Sequence, residues 1–379
     1  MNRHHLPPAM REALSLTRAG RVLDATRAIQ QALGGVRPPA ADPAAEPAPD
    51  GAPRLAPPAG RGPSARPRRP LGSVIAALRE GRRALELPGL RRRAPRPVPE
   101  PVPEGARFEA RIHGGEAGSR RYKLYVPAGA AASRPRGLVL MLHGCTQDPD
   151  DFAAGTRMNA HAETHGLIVA YPAQEHGASP NLCWNWFSPA HQARGAGEPE
   201  ILAGLARSLA AEYGVADDRV FAAGLSAGGA MAAVLGREYP ELFAAIGVHS
   251  GLPAGAASDV VSAFAAMRGD GRVAPRATGG GARTIVIHGA ADETVHVSNA
   301  ERIAAGVHPD AGTAPPEHGE ANGRRYRRVR ITQGDATRLE VWTIDGAGHA
   351  WSGGSPAGSY ADAAGPDASR EMVRFFLEG

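Results

Sequence analysis

The chain has 379 residues, of which 43 are lysine or arginine and 38 are aspartate or glutamate. With 42% hydrophobic and 21% charged residues, the composition suits a globular enzyme and excludes a wholly disordered chain. Two cysteines, Cys145 and Cys183, are too few for a disulfide-built scaffold or a four-thiolate zinc site, and no apolar run reaches the roughly 18 residues of a membrane span.

Residues 1–104 form a Pro/Ala/Arg-rich extension that differs from the rest of the chain. The first 100 residues hold 17 of the 34 prolines and carry 18 arginines against 8 acidic residues, whereas 101–379 has 25 basic and 30 acidic residues. A segment with so few large apolar side chains cannot bury enough surface to offset its chain entropy, so we expect it to be largely disordered. Apolar residues at helical spacing predict two short helices, at about 8–33 and 73–87.

The extension leaves two interpretations open: a linker with short transient helices, or a segment that docks onto a partner or onto the body of the chain itself. Its arginine runs, RPRRP and RRRAPRP, would be attracted to an anionic surface. They lack the interleaved aromatic residues on which bases stack, so we expect no nucleic-acid partner. The start of the chain has no apolar stretch of the kind that a secretory signal needs, which predicts a cytoplasmic protein.

From about Phe108 the sequence alternates between strand and helix patterns. FEARIHG and RRYKLYVP predict a hairpin. GLVLML is apolar at both odd and even positions, as in a strand of a parallel sheet that is buried on both faces. Further predicted strands are LIVAYP, RVFAAG, AAIGVHSG, TIVIHG, RRYRRVRITQ and RLEVWTID. Predicted helices are DDFAAGTRMNAHAETH, PEILAGLARSLAAEYG, AGGAMAAVLGREYP, Ser298–Ala305 and SREMVRFFLEG. This alternation predicts one α/β domain over 105–379, with a mostly parallel sheet covered by helices on both faces.

The motif GLSAG, residues 224–228, lies where a predicted strand meets a predicted helix. This is the context of the G-x-S-x-G nucleophile elbow. The turn is sharp and strained, so the residues two positions from the serine must lack a Cβ atom. The helix that follows directs its free N–H groups at the serine. We therefore predict Ser226 as a nucleophile and the N–H of Ala227 as one oxyanion donor; the alternative is a tight structural turn.

A serine nucleophile needs a base, and the base needs an acid that orients it. In this topology the acid and then the histidine follow the serine along the chain. Asp292 follows the strand TIVIHG, and His349 lies in the loop after VWTID, which predicts a triad of Ser226, Asp292 and His349. The alternatives are Asp292 as a helix cap, Asp345 as the acid, and His349 as an ordinary loop histidine.

The second oxyanion donor is expected in the loop 143–147, after the strand GLVLML, with the backbone N–H of Cys145 as the best candidate. We expect structural roles for His143, His249 and His288. This acyl-transfer chemistry requires neither a metal nor an organic cofactor.

Residues 181–187, NLCWNWF, place three aromatic residues within four positions. They suit the wall of a substrate cleft, and the alternative is a small aromatic core packed onto the body. Cys183 in this loop and Cys145 either form a disulfide or remain free thiols. A bridge would hold the aromatic loop beside the oxyanion loop and stabilise the protein by about 3–4 kcal/mol, whereas a reducing cytoplasm favours thiols.

Six stretches in this order resemble the polyhydroxybutyrate (PHB) depolymerase family of esterases, an α/β-hydrolase group that also contains feruloyl and acetylxylan esterases. They are LHGCTQ, CWNWF, GLSAGGAM, HGAADETV, GHAWSGG and GPDASREMVRFF, within residues 108–379. The resemblance implies an α/β-hydrolase fold. It implies roles for the triad residues Ser226, Asp292 and His349, for Cys145 at the oxyanion loop, and for Trp184, Trp186 and Trp351 near the substrate.

The resemblance also implies hydrolysis of small or polymeric esters of the polyhydroxyalkanoate or 3-hydroxybutyrate type. A feruloyl or acetylxylan-type carbohydrate esterase is one alternative. An interaction protein that docks through the basic extension is another. Family members are typically exported, so an extracellular location is the alternative to the cytoplasm.

Overall fold

The computed structural model describes residues 101–270, 281–307, 314–333 and 336–378. The helices predicted at about 8–33 and 73–87 lie outside these residues, and the domain boundary after residue 104 stays a prediction. The described part begins with a hairpin of β1, Arg107–Gly115, and β2, Gly118–Val126, which pair antiparallel as predicted.

The remaining strands are β3 Gly137–Leu142, β4 Leu167–Pro172, β5 Val220–Leu225, β6 Ala245–His249, β7 Arg283–Gly289, β8 Glu317–Ala321, β9 Arg324–Gln333, β10 Ala336–Ile344, β11 Trp351–Ser352 and β12 Ala361–Asp362. Ten of the strands in the described ranges form one sheet in the order β1-β2-β4-β3-β5-β6-β7-β10-β9-β8. The six from β4 to β10 run parallel, and antiparallel strands flank them at both ends. β3, β4, β5 and β6 are buried along their whole length, as their continuous apolar sequences predict.

The helices are α1 Pro149–Thr156, α2 Met158–His165, α3 Gly197–Tyr213, α4 Ala227–Glu238, α5 Val260–Met267, α6 Ser298–Val307 and α7 Ala368–Leu377. Side chains of α1, α2 and α7 belong to the core on one face of the sheet, and those of α3, α4, α5 and α6 belong to the core on the other. Helices on both faces of a mostly parallel sheet confirm the predicted α/β-hydrolase class. No helix of the described segments is long and apolar enough to cross a bilayer.

Several elements differ from the sequence-based prediction, among them α5, β11 and β12, which were not predicted. DDFAAGTRMNAHAETH forms two helices rather than one, because Arg157 adopts a left-handed conformation with φ 54° and separates α1 from α2. β8 was not predicted, since EHGEA has no apolar alternation; it pairs with β9 at the edge of the sheet.

The parallel strands determine where the functional loops lie. The loop 143–147 follows β3, the GLSAG turn ends β5, and the loops containing Asp292 and His349 follow β7 and β10. Because the carboxyl ends of parallel strands meet at one edge of the sheet, all four loops lie along that edge.

Candidate active site

Ser226 occupies a strained turn between β5 and α4. Its backbone has φ 57° and ψ −118°, and its N–H donates to the carbonyl oxygen of His249 at 2.9 Å. A Cβ atom on Gly228 would clash with the carbonyl oxygen of Leu142, and one on Gly224 would lie 2.7 Å from the same oxygen. The two glycines are therefore required by close approach to β3, and the serine is held half-buried at the tip of the turn.

His349 and Asp292 form a direct pair. The Nδ1 atom of His349 lies 2.8 Å from Oδ2 of Asp292, whose side chain has no exposed surface. Oδ1 of the same carboxylate accepts hydrogen bonds from the N–H groups of Thr294 and Val295 at 2.9 and 2.8 Å. Burial alone would raise the pKa of Asp292, but the hydrogen bonds from His349 and Val295 hold that pKa below its usual value. The carboxylate therefore stays ionised and holds Nδ1 of His349, so Nε2 is the ring nitrogen that Asp292 does not engage.

Asp345 and Asp292 differ in exposure and in their partners. Asp345 has a carboxylate that is 57% exposed and lies 3.6 Å from Arg325, at the end of β10. Asp292 accepts from its own turn rather than from the first turn of α6, so it is not the cap of that helix. Of the two aspartates, the structure brings only Asp292 to His349.

The predicted oxyanion loop, residues 143–147, is held both by its own contacts and by neighbouring segments. The N–H of Gly144 donates to Oε1 of Gln147 at 2.9 Å, and Nε2 of the same glutamine donates to Asp151 at 2.9 Å and to the carbonyl oxygen of Ser359 at 3.0 Å. Gln147 is 2% exposed. Sequence reasoning gave it no role, although the LHGCTQ stretch contains it.

The two amides predicted as oxyanion donors are those of Cys145 and Ala227. Neither donates a hydrogen bond to another residue in the described part of the chain. Ala227 is the first residue of α4, where backbone N–H groups have no partner within the helix. Both N–H groups therefore remain without an acceptor in the described ranges, and their role as oxyanion donors stays a prediction.

Cys145 and Cys183 are joined by a disulfide, which decides between the two alternatives left open by the sequence. The bridge attaches the aromatic loop to the oxyanion loop. A second link lies beside it, since the N–H of Thr146 donates to the carbonyl oxygen of Asn181 at 2.8 Å.

The tryptophans differ from the expectation of a substrate wall. Trp184 is fully buried, and its indole N–H donates to the carbonyl oxygen of His143 at 3.1 Å. Trp351 is 1% exposed, stacks on the ring of His249 at 5.0 Å and donates to Ser369. Both side chains are buried and offer a ligand almost no surface in this structure, which favours the aromatic-core alternative; substrate contact by Trp184 and Trp351 stays a prediction.

Trp186 stays a candidate for substrate contact. It is 6% exposed and packs edge-on against Phe187, which is half-buried. The alternative interpretation, an aromatic core packed onto the body, thus describes most of this loop.

A buried polar network supports the aromatic loop from below. Glu198, in the first turn of α3, is 2% exposed and accepts hydrogen bonds from the backbone and side-chain amides of Asn185 at 2.8 and 2.9 Å. It also contacts the side-chain amide of Gln174, while the guanidinium of Arg120 lies over the ring of Trp184. The sequence offered no signal for this network, because a glutamate in a first helical turn is ordinarily exposed.

The three other histidines near the site are structural, as predicted. Nε2 of His143 accepts from the N–H of Gln174, and burial lowers the pKa of His143. Burial, together with the neighbouring His288 and His349, lowers the pKa of His249 to about 3. Burial also lowers the pKa of His288, whose Nε2 donates to a carbonyl oxygen. These rings are neutral at pH 7. No cluster of three or more possible metal ligands occurs among the described residues.

Comparison with known proteins adds independent findings. Poly(3-hydroxyalkanoate) depolymerase C of Paucimonas lemoignei is 31% identical over 238 residues, 59% of this chain and 57% of the relative. Feruloyl esterase B of Neurospora crassa is 34% identical over 145 residues, 36% of this chain and 47% of the relative. The chain thus spans about half the length of these curated relatives.

A solved structure, acetyl xylan esterase from Aspergillus awamori, covers 72% of this chain and 98% of its own with a TM-score of 0.55 and 23% identity, which shows a shared fold. The model of the family described as esterase PHB depolymerase matches residues 120–311, just over half of the 379 residues. With the fold and this match established, the chain belongs to the PHB depolymerase family of esterases.

Proposed function

We propose that this protein is a serine carboxylic ester hydrolase that works through Ser226, His349 and Asp292. The observation that carries the proposal is the pair of Asp292 and His349, 2.8 Å apart, in loops at the same sheet edge as the strained Ser226 turn. A buried, ionised carboxylate that holds one imidazole nitrogen makes the other nitrogen a base for a nearby hydroxyl. Membership of an esterase family supports the same chemistry.

The reaction proceeds in two acyl-transfer steps. Nε2 of His349 takes the proton from Oγ of Ser226 while that oxygen forms a bond to the ester carbonyl carbon, and Asp292 stabilises the resulting imidazolium. The amides of Cys145 and Ala227 donate to the oxyanion. The carbon–oxygen bond to the alcohol then breaks, and the alcohol leaves with the proton from His349. In the second step, water releases the acid from the acyl-enzyme by the same route in reverse.

The proposed substrates are polyhydroxyalkanoates or smaller 3-hydroxybutyrate-type esters. Of the two curated relatives described above, the one named a poly(3-hydroxyalkanoate) depolymerase aligns over the longer stretch, 238 residues against 145. A feruloyl or acetylxylan-type carbohydrate esterase is the second candidate, because the feruloyl esterase is slightly more identical, 34% against 31%. Parallel assays on 3-hydroxybutyrate oligomers, methyl ferulate and acetylated xylan separate the two candidates.

Substitutions at the three residues test the triad. Ser226→Ala should abolish hydrolysis of p-nitrophenyl butyrate without changing the circular dichroism spectrum, and Asp292→Asn should lower kcat by about 10³–10⁴ because the imidazole loses its orienting charge. Asp345→Asn is the matched control and should leave kcat unchanged. Activity retained by Ser226→Ala, or an equal loss in Asp345→Asn, would refute the assignment.

A further inference from the structure

Tyr360 combines a strained backbone with an exposed aromatic ring. Its φ is 50°, and the residue is 47% exposed. A bulky residue with positive φ is unfavourable and persists only where the surroundings over-determine it. In the described part of the chain the other non-glycine residues with positive φ include Ser226 and Thr146, both at the candidate site.

The residues around Tyr360 provide this constraint. Its carbonyl oxygen accepts a hydrogen bond from the N–H of Trp351 at 2.7 Å. The preceding Ser359 donates its N–H to Oδ1 of Asp151 at 2.8 Å, and its carbonyl oxygen accepts from Gln147 at 3.0 Å. The backbone is thus fixed on both sides of the exposed ring.

These contacts place Tyr360 between two parts of the candidate site. Its hydroxyl lies 3.4 Å from Oγ1 of Thr146, the residue that follows the proposed oxyanion donor Cys145. Its carbonyl oxygen is bound by Trp351, two residues after His349. An exposed phenol at this position lies at the rim of the site, next to the loops that would hold the oxyanion and supply the base.

We infer that Tyr360 is a specificity-determining residue that binds the monomer next to the ester bond being cut, an inference that rests on the proposed function. A hydroxyalkanoate oligomer carries a side-chain methyl group and a further ester carbonyl beside that bond. The phenol ring offers an apolar face to the methyl group, and its O–H donates to the carbonyl oxygen. A simple ester such as methyl butyrate has no second carbonyl and makes no use of this contact.

The experiment compares kcat and KM for a 3-hydroxybutyrate trimer and for methyl butyrate. Tyr360→Phe keeps the ring but loses the hydroxyl, so KM for the trimer should rise about 3- to 10-fold, the effect of losing one hydrogen bond, with kcat unchanged. Kinetics on methyl butyrate should not change. Tyr360→Gly removes the ring and tolerates the positive φ, so it should fold with undiminished Tm and raise KM for the trimer further.

Tyr213→Phe is the matched control. Its hydroxyl accepts from Arg111 at 3.2 Å, and it ends α3, which leads towards the amino end of β5, the opposite edge of the sheet. This variant should leave KM for both esters unchanged. If Tyr360→Phe raises KM for both esters equally, or for neither, the inference is overturned. The proposed function still stands in that case, provided that the wild type hydrolyses methyl butyrate and Ser226→Ala does not.

Discussion

The GLSAG turn, residues 224–228, and the aromatic loop, residues 181–187, are the two densest motifs of the chain, and they differ in what fixes them. The turn is shaped by backbone contacts that leave no room for a Cβ atom on Gly228. The aromatic loop is shaped by side chains that reach distant segments, as Trp184 does to the carbonyl oxygen of His143, 41 residues earlier.

The difference explains why the shape of the turn could be predicted from its own residues, whereas the sequence left two interpretations of the aromatic loop open. Steric requirements of a turn act on the residues that form it, so the sequence expresses them directly. The destination of an aromatic side chain depends on which surface lies next to it, and the same apolar area favours a ligand wall and a core. The aromatic loop serves the turn indirectly, because Trp184 and the disulfide both attach it to the oxyanion loop 143–147.

The largest effect is expected from Gly228→Ala, which tests whether close backbone contacts fix the GLSAG turn. The new methyl group would overlap the carbonyl oxygen of Leu142 and lie 2.6 Å from that of His143, and neither oxygen is on a flexible side chain. The free energy of unfolding should fall by more than about 4 kcal/mol, as measured by urea denaturation. Gly129→Ala is the control, since nothing lies within 4 Å of its added Cβ atom; comparable stability of the two variants would contradict the steric explanation.

Removal of the disulfide tests the link between the two motifs. The double variant Cys145→Ala/Cys183→Ala should lower the free energy of unfolding by about 3 kcal/mol, because the unfolded chain gains conformational freedom. It should also lower kcat for ester hydrolysis more than it changes KM, since the Cys145 amide is a proposed oxyanion donor. Wild type treated with dithiothreitol should behave like the variant, and the variant should not respond to the reductant. A variant as stable as the oxidised wild type would show that the bridge contributes nothing.

In the fold, too, features set by neighbouring residues were predictable, and features without a local sequence signal were not. The strands β3, β4 and β5 are continuous apolar runs with no exposed face, and the predictions for them were correct. The break at Arg157 was missed because an arginine with positive φ has no local sequence signal. The capping box of Asp259 and Ser262 before α5 was a usable signal that was overlooked.

At the site, the spacing of motifs was enough to propose Asp292 and His349, and the structure brings these two together. Their supports were not predictable, because they depend on partners far along the chain. Gln147 binds Ser359, which lies 212 positions away, and the oxygens of the buried Glu198 are satisfied by Asn185 and Gln174, with the guanidinium of Arg120 4.0 Å away.

A smaller effect is expected from Trp184→Phe, which tests whether the aromatic loop is support or substrate wall. The change leaves the carbonyl oxygen of His143 without its indole donor and opens a small cavity, so stability should fall by about 1–3 kcal/mol. KM for the ester should not change. Trp186→Phe is the control for stability alone, because no hydrogen bond of its indole N–H is found within the described ranges and the residue remains a candidate for substrate contact. A raised KM with unchanged stability in Trp184→Phe would restore the substrate-wall interpretation.

The smallest effect concerns His249, which contacts the GLSAG turn. Its carbonyl oxygen holds the N–H of Ser226, and its neutral ring stacks on Trp351 and accepts from the N–H of Ser352. Burial first, and then the nearby His288 and His349, lower its pKa in the folded protein to about 3, against 6.5 for the unperturbed group. Below pH 6.5 the unfolded chain therefore binds a proton that the folded protein does not, so stability is lost as the pH falls from 6.5 towards 3.

The pKa values of His143 and His288 are also lowered in the folded protein. Each of these histidines therefore adds to the stability that the wild type loses as the pH falls. His249→Gln keeps an acceptor for the N–H of Ser352 but does not titrate. Between pH 7.5 and 5.5 it should lose about 1.4 kcal/mol less stability than the wild type, as measured by urea denaturation at both values. His318→Gln, at an exposed position on β8, should leave the wild-type pH dependence unchanged. An unaltered pH dependence in His249→Gln would mean that the imidazole takes up a proton in the folded protein over the same pH range as in the unfolded chain, and the neutral stacking partner assigned to Trp351 would have to be abandoned.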